Sequence, residues 1–242
     1  MPIQDEGGIT MRSVLCRELE RLSLPADEDI IEKFEEYYSL LIEWNEKFNL
    51  TAITDRNEVY LKHFIDSIYG EKYIEKGSIV VDIGAGAGFP SIPLCIVRED
   101  IKIDMYDSLL KRVGFLREVA EKLELDNVTA THMRIEDAAL KNRNRYDVAV
   151  ARAVAPLPTL VEYALPLLKV GGTLVAYKGS NYKEEISAAK NALKLLNGEV
   201  IAAEEVVLPS SDITHSFVII KKCRDTDKKY PRGKNKPRLE PL

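Results

Sequence analysis

The 242-residue chain predicts an α/β domain built on a largely parallel sheet, with helices ahead of it. Three observations predict this. From Gly77 onward, short β-prone runs alternate with longer segments of helical period, the pattern of strands joined by crossover helices. A glycine-rich turn, Gly84-Ala85-Gly86-Ala87-Gly88, directly follows the first of these runs, Ile79-Val80-Val81-Asp82-Ile83. Before Gly77, apolar positions recur at helical spacing instead.

Residues 1–76 are expected to form a helical extension packed on the main domain. Residues 1–10 read as a loose end. Val14, Leu15, Leu19 and Leu22 give a helical stripe within 11–24. Ser23-Leu24-Pro25-Ala26-Asp27 breaks the chain and restarts it. The next helix opens on Asp27, Glu28 and Asp29, where the helix dipole favours carboxylates. Its stripe is Ile30, Ile31, Phe34, Tyr37, Tyr38, Leu41 and Trp44, and Asn45 and Asn49 mark its end. Asn57 is the expected cap of a further helix holding Tyr60, Phe64 and Ile68. These stripes need an apolar surface to cover.

The main domain is expected over residues 77–223. Strands are predicted at 79–83, 101–106, 128–131, 146–151 and 173–177, and helices at 91–97, 111–123, 157–168 and 182–196. Two further strands, 200–208 and 216–221, flank Pro209-Ser210-Ser211-Asp212 and read as an antiparallel pair closing the sheet. The expected sheet is therefore seven-stranded and mostly parallel, with its last strand antiparallel.

Composition narrows the function. Cys16, Cys95 and Cys223 lie far apart, no CxxC occurs and His63, His132 and His215 are the histidines, so neither a disulfide scaffold nor a metal site is expected. No run approaches eighteen apolar residues and the N-terminus is polar and acidic, so no membrane span or signal peptide is read, and a cytoplasmic protein is expected. The net charge of −5 does not by itself imply a nucleic-acid partner. The charge is uneven, however: Lys221, Lys222, Arg224, Lys228, Lys229, Arg232, Lys234, Lys236 and Arg238 crowd the end against Asp225 and Asp227. Residues 224–242 thus read as a basic tail, made extended or loop-like by Pro231, Gly233 and Pro237.

The glycine turn, followed by Pro90 at a helix start, lets backbone approach a ligand closely. A dinucleotide fingerprint needs glycine at its sixth position, where Phe89 stands, and a phosphate-cradling loop needs GKS or GKT. Both phosphate readings are disfavoured. S-adenosylmethionine carries a sulfonium and an amino-acid head and no phosphate, which Asp82 just before the turn tolerates. Asp107, at the end of the second strand, is placed either to accept the hydroxyls of a ribose or to cap the next helix. Ile135-Glu136-Asp137, after the third strand, either meets an adenine edge or opens a helix. Arg152, after the fourth strand and before Ala153-Val154-Ala155-Pro156-Leu157-Pro158, offers a planar fork to a carboxylate or phosphate, or else anchors its loop through an ion pair.

Together these residues resemble the bacterial ribosomal RNA small-subunit methyltransferase G family, also called the glucose-inhibited division protein B family. The matching stretches are Trp44-Asn45 through Asn49-Leu50-Thr51-Ala52-Ile53, Lys62-His63-Phe64-Ile65-Asp66-Ser67, Asp82 through Pro90 with Ile92-Pro93, Arg152 through Leu157, and Lys229-Tyr230-Pro231-Arg232. The resemblance spans residues 22–242. It departs at Ser91, where the family often has glycine, and near Thr214-His215, where the family often carries arginine.

The resemblance implies a class I S-adenosylmethionine-dependent methyltransferase (Rossmann-like) fold. It implies transfer of a methyl group to N7 of one guanosine in 16S ribosomal RNA, with the RNA or the small ribosomal subunit as partner and no obligate protein partner. Gly84, Gly86, Gly88, Phe89, Asp107, Ile135, Glu136 and Arg152 fall at expected cofactor-binding positions. Asn49, Thr51, Lys229 and Arg232 are candidate RNA contacts. Guanine N7 already carries an exposed lone pair, so no catalytic base is expected and Arg152 is at most an orienting residue. Two rival readings are a small-molecule methyltransferase and a non-catalytic RNA-binding scaffold; a nicotinamide oxidoreductase is disfavoured by the glycine spacing.

Overall fold

The computed structural model describes residues 10–242; the expected loose end, apart from Thr10, lies outside the described residues. The first helices are α1 (Met11–Arg21) and α2 (Glu28–Phe48). The Thr10 hydroxyl accepts from the Ser13 N–H and the Asp27 carboxylate from the Ile30 N–H, so both helices begin on side-chain caps. The expected stripe of α2 is the face it buries, through Ile30, Ile31, Phe34, Tyr37, Leu40 and Leu41. It ends at Asn49, whose left-handed backbone (φ 48°) returns its N–H to Asn45 O.

The following segment differs from the expected single helix. Asp55, not Asn57, supplies the cap, its carboxylate accepting from Glu58 N, because α3 (Arg56–Val59) starts two residues earlier and Asn57 lies within it. A π-helical stretch (Tyr60–Ile65) then widens the turn before α4 (Asp66–Ile68) and a short 3₁₀ turn (Glu71–Tyr73). Such widening often marks a functional site.

The strands are β1 (Ile79–Ile83), β2 (Lys102–Asp107), β3 (Val128–His132), β4 (Tyr146–Arg152), β5 (Leu168–Lys178), β6 (Gly198–Val207) and β7 (Thr214–Lys222). They form one seven-stranded sheet in the order β3-β2-β1-β4-β5-β7-β6, with β7 antiparallel to its neighbours β5 and β6. The connections are α5 (Ser91–Val97), α6 (Leu110–Lys122), α7 (Ile135–Lys141), α8 (Leu157–Ala164), and α9 (Tyr182–Ala188) with α10 (Lys190–Leu196). Two expected helices are shortened or split. The predicted 157–168 helix stops at Ala164, just before Pro166, and β5 already begins at Leu168; the predicted 182–196 helix breaks at Ala189.

Helices cover both faces of the sheet. One apolar core joins α1, α2, the π-helical stretch, α5 and α6; the other joins α7, α8 and α10 with Tyr230 from the chain end. The N-terminal helices are thus part of the main core. Tyr37 of α2 stacks on Phe64 at 5.2 Å and lies 5.5 Å from Phe89 beside the glycine turn. Residues 224–242 also fold back on the domain and end in a short helix, α11 (Lys236–Leu239), against α8. The strand order reverses between β1 and β4. That switch point opens a crevice at the carboxyl ends of the strands, where open α/β sheets bind ligands.

Candidate active site

The glycine turn is built by left-handed backbone and one carboxylate. Gly84, Gly86 and Gly88 all adopt positive φ, of 70°, 60° and 94°, a region where side chains are strained. The N–H groups of Gly84 and Ala85 both donate to Tyr106 O, and the Gly86 N–H donates to Asp107 Oδ2 at 3.0 Å. The three glycines differ in duty. A Cβ on Gly84 would come within 3.2 Å of Val154 and narrow the crevice between β1 and β4. A Cβ on Gly88 would meet Tyr37 Oη at 2.7 Å and Ile92 at 2.6 Å, so this glycine serves packing against α2. Gly86 is needed for its left-handed backbone, which aims its N–H at Asp107.

A crevice of about 370 Å³ opens beside this turn. Gly84, Asp107, Ile135, Glu136, Val154 and Tyr163 line it. Asp107 is buried; its Oδ1 accepts from Leu109 N at 2.8 Å while Oδ2 holds Gly86, so it fixes both the turn and the start of α6. A carboxylate has about four acceptor positions, so lone pairs remain for a ligand's hydroxyl groups. Asp82, in contrast, is sealed beneath the turn. Ser91 donates to its Oδ2 at 2.6 Å, Oδ1 has no partner among the described residues, and burial pushes its carboxyl up to about 7.

A second pocket, of about 630 Å³, shares the wall Ala153-Val154-Ala155 with the first. His63, Asp66, Arg152, Lys178 and His215 line it. Arg152 is placed here and not in the crevice. It donates through Nη1 to Lys62 O and Asp66 Oδ2, both at 2.9 Å, and through Nη2 to His63 Nδ1 at 2.8 Å, and its guanidinium lies 4.9 Å from the Phe89 ring centre. Asp66, almost fully buried, also accepts from His215 Nδ1 at 2.6 Å. Because arginine can only donate, His63 Nδ1 must be the unprotonated nitrogen, and Nε2–H faces the Thr51 hydroxyl at 3.0 Å. Burial, reinforced by the neighbouring Arg152 charge, lowers His63 to about 4, so the ring stays neutral.

The remaining expected site residues lie as follows. Phe89 stacks on His63 at 4.4 Å, facing the N-terminal helices. Thr51 holds the His63 ring, and Asn49 terminates α2. Arg232 is engaged with the buried Glu162 of α8 at 2.8 Å, and Lys229 pairs with Asp227 at 3.4 Å. Sequence reasoning did not single out Asp66 or Lys178. Asp66 sat within a stretch that resembles the family, but its partner Arg152 is 86 residues away. Lys178 donates to Ala155 O at 2.9 Å and to Glu185 at 2.6 Å, clamping the shared wall. No local pattern announces such a clamp.

A seven-stranded sheet with one antiparallel strand, a glycine turn at the switch point and a carboxylate at the end of the next strand define a class I S-adenosylmethionine-dependent methyltransferase. The model of the family described as "GidB: rRNA small subunit methyltransferase G" matches residues 30–214. The chain belongs to this family. It is 49% identical over 93% of its length to ribosomal RNA small subunit methyltransferase G of Halalkalibacterium halodurans, covering 96% of that protein. It is 45% identical to the protein of the same name from Acetivibrio thermocellus, over 98% of this chain and 99% of that one. Among solved structures, P. horikoshii TYW2 in complex with MeSAdo shares the fold, with a TM-score of 0.54 at 18% identity over 66% of this chain and 62% of that one.

Proposed function

We propose that the two pockets divide the reaction between them: the crevice beside the glycine turn holds S-adenosylmethionine, and the arginine-lined pocket receives the RNA base. The activity is methylation of N7 of a guanosine in 16S ribosomal RNA. The single observation that carries the division is the wall Ala153-Val154-Ala155, which borders both cavities.

The crevice fits the cofactor. Gly84 leaves open the strip of space that a Cβ would fill, and Asp107 and Glu136 present acceptors suited to a nucleoside's hydroxyl and amino groups. When bound, S-adenosylmethionine supplies a methyl group on a sulfonium centre. The protein residues then position and exclude. The pocket imidazoles are committed to structural hydrogen bonds, His63 with Arg152 and Thr51, His215 with Asp66. His63 has both ring nitrogens engaged, and N7, with its own lone pair, requires no proton to be taken. Arg152 has five N–H groups, of which three are engaged; the remaining two can meet the base carbonyl or a phosphate. Held from three sides, that fork is pre-set, and pre-set positioning supplies much of an alkyl transfer's rate.

No helix among the described residues is long and apolar enough to cross a membrane, and we place the protein in the cytoplasm with its ribosomal substrate. Asn49, Thr51, Lys229 and Arg232 were candidate RNA contacts. Of these, Thr51 acts on the pocket through His63. The test is a split. Asp107→Ala is expected to bind cofactor about 10- to 100-fold more weakly by calorimetry. Arg152→Met is expected to bind cofactor normally and to leave 16S RNA unmethylated. Normal methylation by the Arg152 variant overturns the division.

A further inference from the structure

The basic C-terminus is charged enough to suggest a loose RNA grip, yet it is pinned down at every few residues. Arg143 donates to the carbonyls of Thr226 at 2.6 Å and of Tyr230. Arg232 embraces Glu162, which is fully buried on α8, with Nε and Nη2, while the Arg232 backbone N–H donates to the same carboxylate at 2.7 Å. Arg232 also reaches Glu240 O at 2.7 Å, tying the two ends of the last segment together. Thr159 of α8 donates to Pro237 O at 2.8 Å in a buried contact. An ion pair this deep is destroyed at high cost when one partner is removed, so the segment holds one path.

That path leads to the cofactor crevice. Lys234 and Asn235 both take left-handed backbone, φ 58° and 59°, and turn the chain so that Asn235 and Arg238 become part of the crevice lining. They stand on the side of Glu136 and Tyr163, away from the Arg152 pocket. The Tyr163 hydroxyl registers both neighbours: burial raises it, Glu136 raises it further and Arg238 opposes. Arg238 has an exposed side chain at the rim, so its guanidinium is free to lie over a ligand.

We propose that Asn235 and Arg238 are cofactor-binding residues, and that residues 229–242 form a fixed outer wall of the S-adenosylmethionine crevice at its nucleoside end. The chemistry suits that end. An arginine plane stacks on an aromatic base, and a carboxamide offers both a donor and an acceptor to a base edge. The proposal rests on the assignment of this crevice to S-adenosylmethionine, and the experiment separates the two.

The full chain and its Arg238→Ala, Asn235→Ala and Asp107→Ala variants are titrated calorimetrically with S-adenosylmethionine. The same proteins are titrated with a 16S RNA fragment over a series of salt concentrations. Arg238→Ala and Asn235→Ala are each expected to lose about tenfold in cofactor affinity, the scale of one good hydrogen bond or stack. Their RNA affinity and salt slope are expected to stay as in the parent. Unchanged cofactor affinity in both variants, with Asp107→Ala weakened, overturns the wall; a salt slope reduced by about one then marks Arg238 as a phosphate contact. Unchanged affinity in Asp107→Ala as well overturns the crevice assignment itself. Both side chains lie at the rim, and matching thermal midpoints confirm that the variants are folded. A second readout is hydrogen exchange: amides in 229–242 are expected to slow on cofactor addition in the parent, and no slowing counts against the wall.

Discussion

The two pockets meet at three residues and are made in opposite ways. The crevice proposed for the cofactor comes chiefly from strand ends and the turns after them: Gly84 after β1, Asp107 at the end of β2, Ile135 and Glu136 after β3, Val154 after β4. The Arg152 pocket is assembled across the fold, with His63 and Asp66 from the N-terminal helices and His215 from the antiparallel β7. The first kind of site follows from any sheet with this switch point. The second exists only because a helical layer packs onto the sheet. The crevice is thus generic to the fold, while the Arg152 pocket depends on the N-terminal helices of this chain.

Four perturbations sharpen that contrast, and the largest effect is expected at Arg152. Truncation to alanine leaves Asp66, with 1% of its side chain exposed, without its principal cation. A stranded buried charge of this kind costs about 3–5 kcal/mol. Denaturant unfolding should register that loss, and a loss below about 1 kcal/mol would mean the cross-fold cluster is not what fixes the second pocket. Asp107→Ala is expected next. It strands the Gly86 and Leu109 N–H groups and should weaken S-adenosylmethionine by about 10- to 100-fold, at about 1–3 kcal/mol for hydrogen bonds to a charged group. Calorimetry decides, and the His63–Arg152 cluster should be undisturbed in the amide spectrum.

The third perturbation is of pH, through Asp82 beneath the turn. Its carboxyl is raised from 3.8 to about 7 by burial. Between those values the folded protein holds a proton that the unfolded chain has lost, so this group's contribution is full below pH 4 and fades as pH rises through 7. Asp82→Asn lacks that fading. Relative to the parent, the variant should therefore gain stability from pH 5 to pH 8, by up to about 1.4 kcal/mol per pH unit inside the window. Urea midpoints at the two pH values measure it, and a constant difference would contradict a buried, protonated Asp82. The smallest effect is expected at Ala153, the non-glycine residue at φ 56° where the shared wall begins. Ala153→Gly relieves that backbone but loosens the unfolded chain, so stability should change by less than about 1 kcal/mol. A thermal midpoint drop of many degrees would show that the methyl group itself props the wall.

How much of this was legible follows from the range of each interaction. Ser91–Val97 and Ile79–Ile83 were readable to the residue because apolar period and the adjoining glycines and proline are local signals. The π-helical stretch was not, since Tyr60, Phe64 and Ile68 satisfy an ordinary helical stripe equally well. Asp107 could be picked out because the end of a strand beside a glycine turn has a known place in such sheets. For Arg152, the sequence left a ligand contact and a loop-anchoring ion pair both open, and the structure shows the ion pair with Asp66 while keeping two donors free. The tail read as a charged, loop-like end because nothing near Arg232 in sequence offers the carboxylate it finds 70 residues back.

The order of strands and helices, the glycine turn with its side-chain-free backbone and the absence of a nucleotide-phosphate signature are properties of neighbours along the chain, so the sequence by itself determined them. The partners of Arg152, the seating of the N-terminal helices over the turn and the course of the last residues along the crevice were decided by tertiary structure alone. Contacts such as Tyr37 with Ala87, Arg232 with Glu162 and Arg152 with Lys62 join groups 50, 70 and 90 residues apart, and charge and hydrogen-bond pairing at such separations depends on which faces the packed elements turn toward each other, which no local period records.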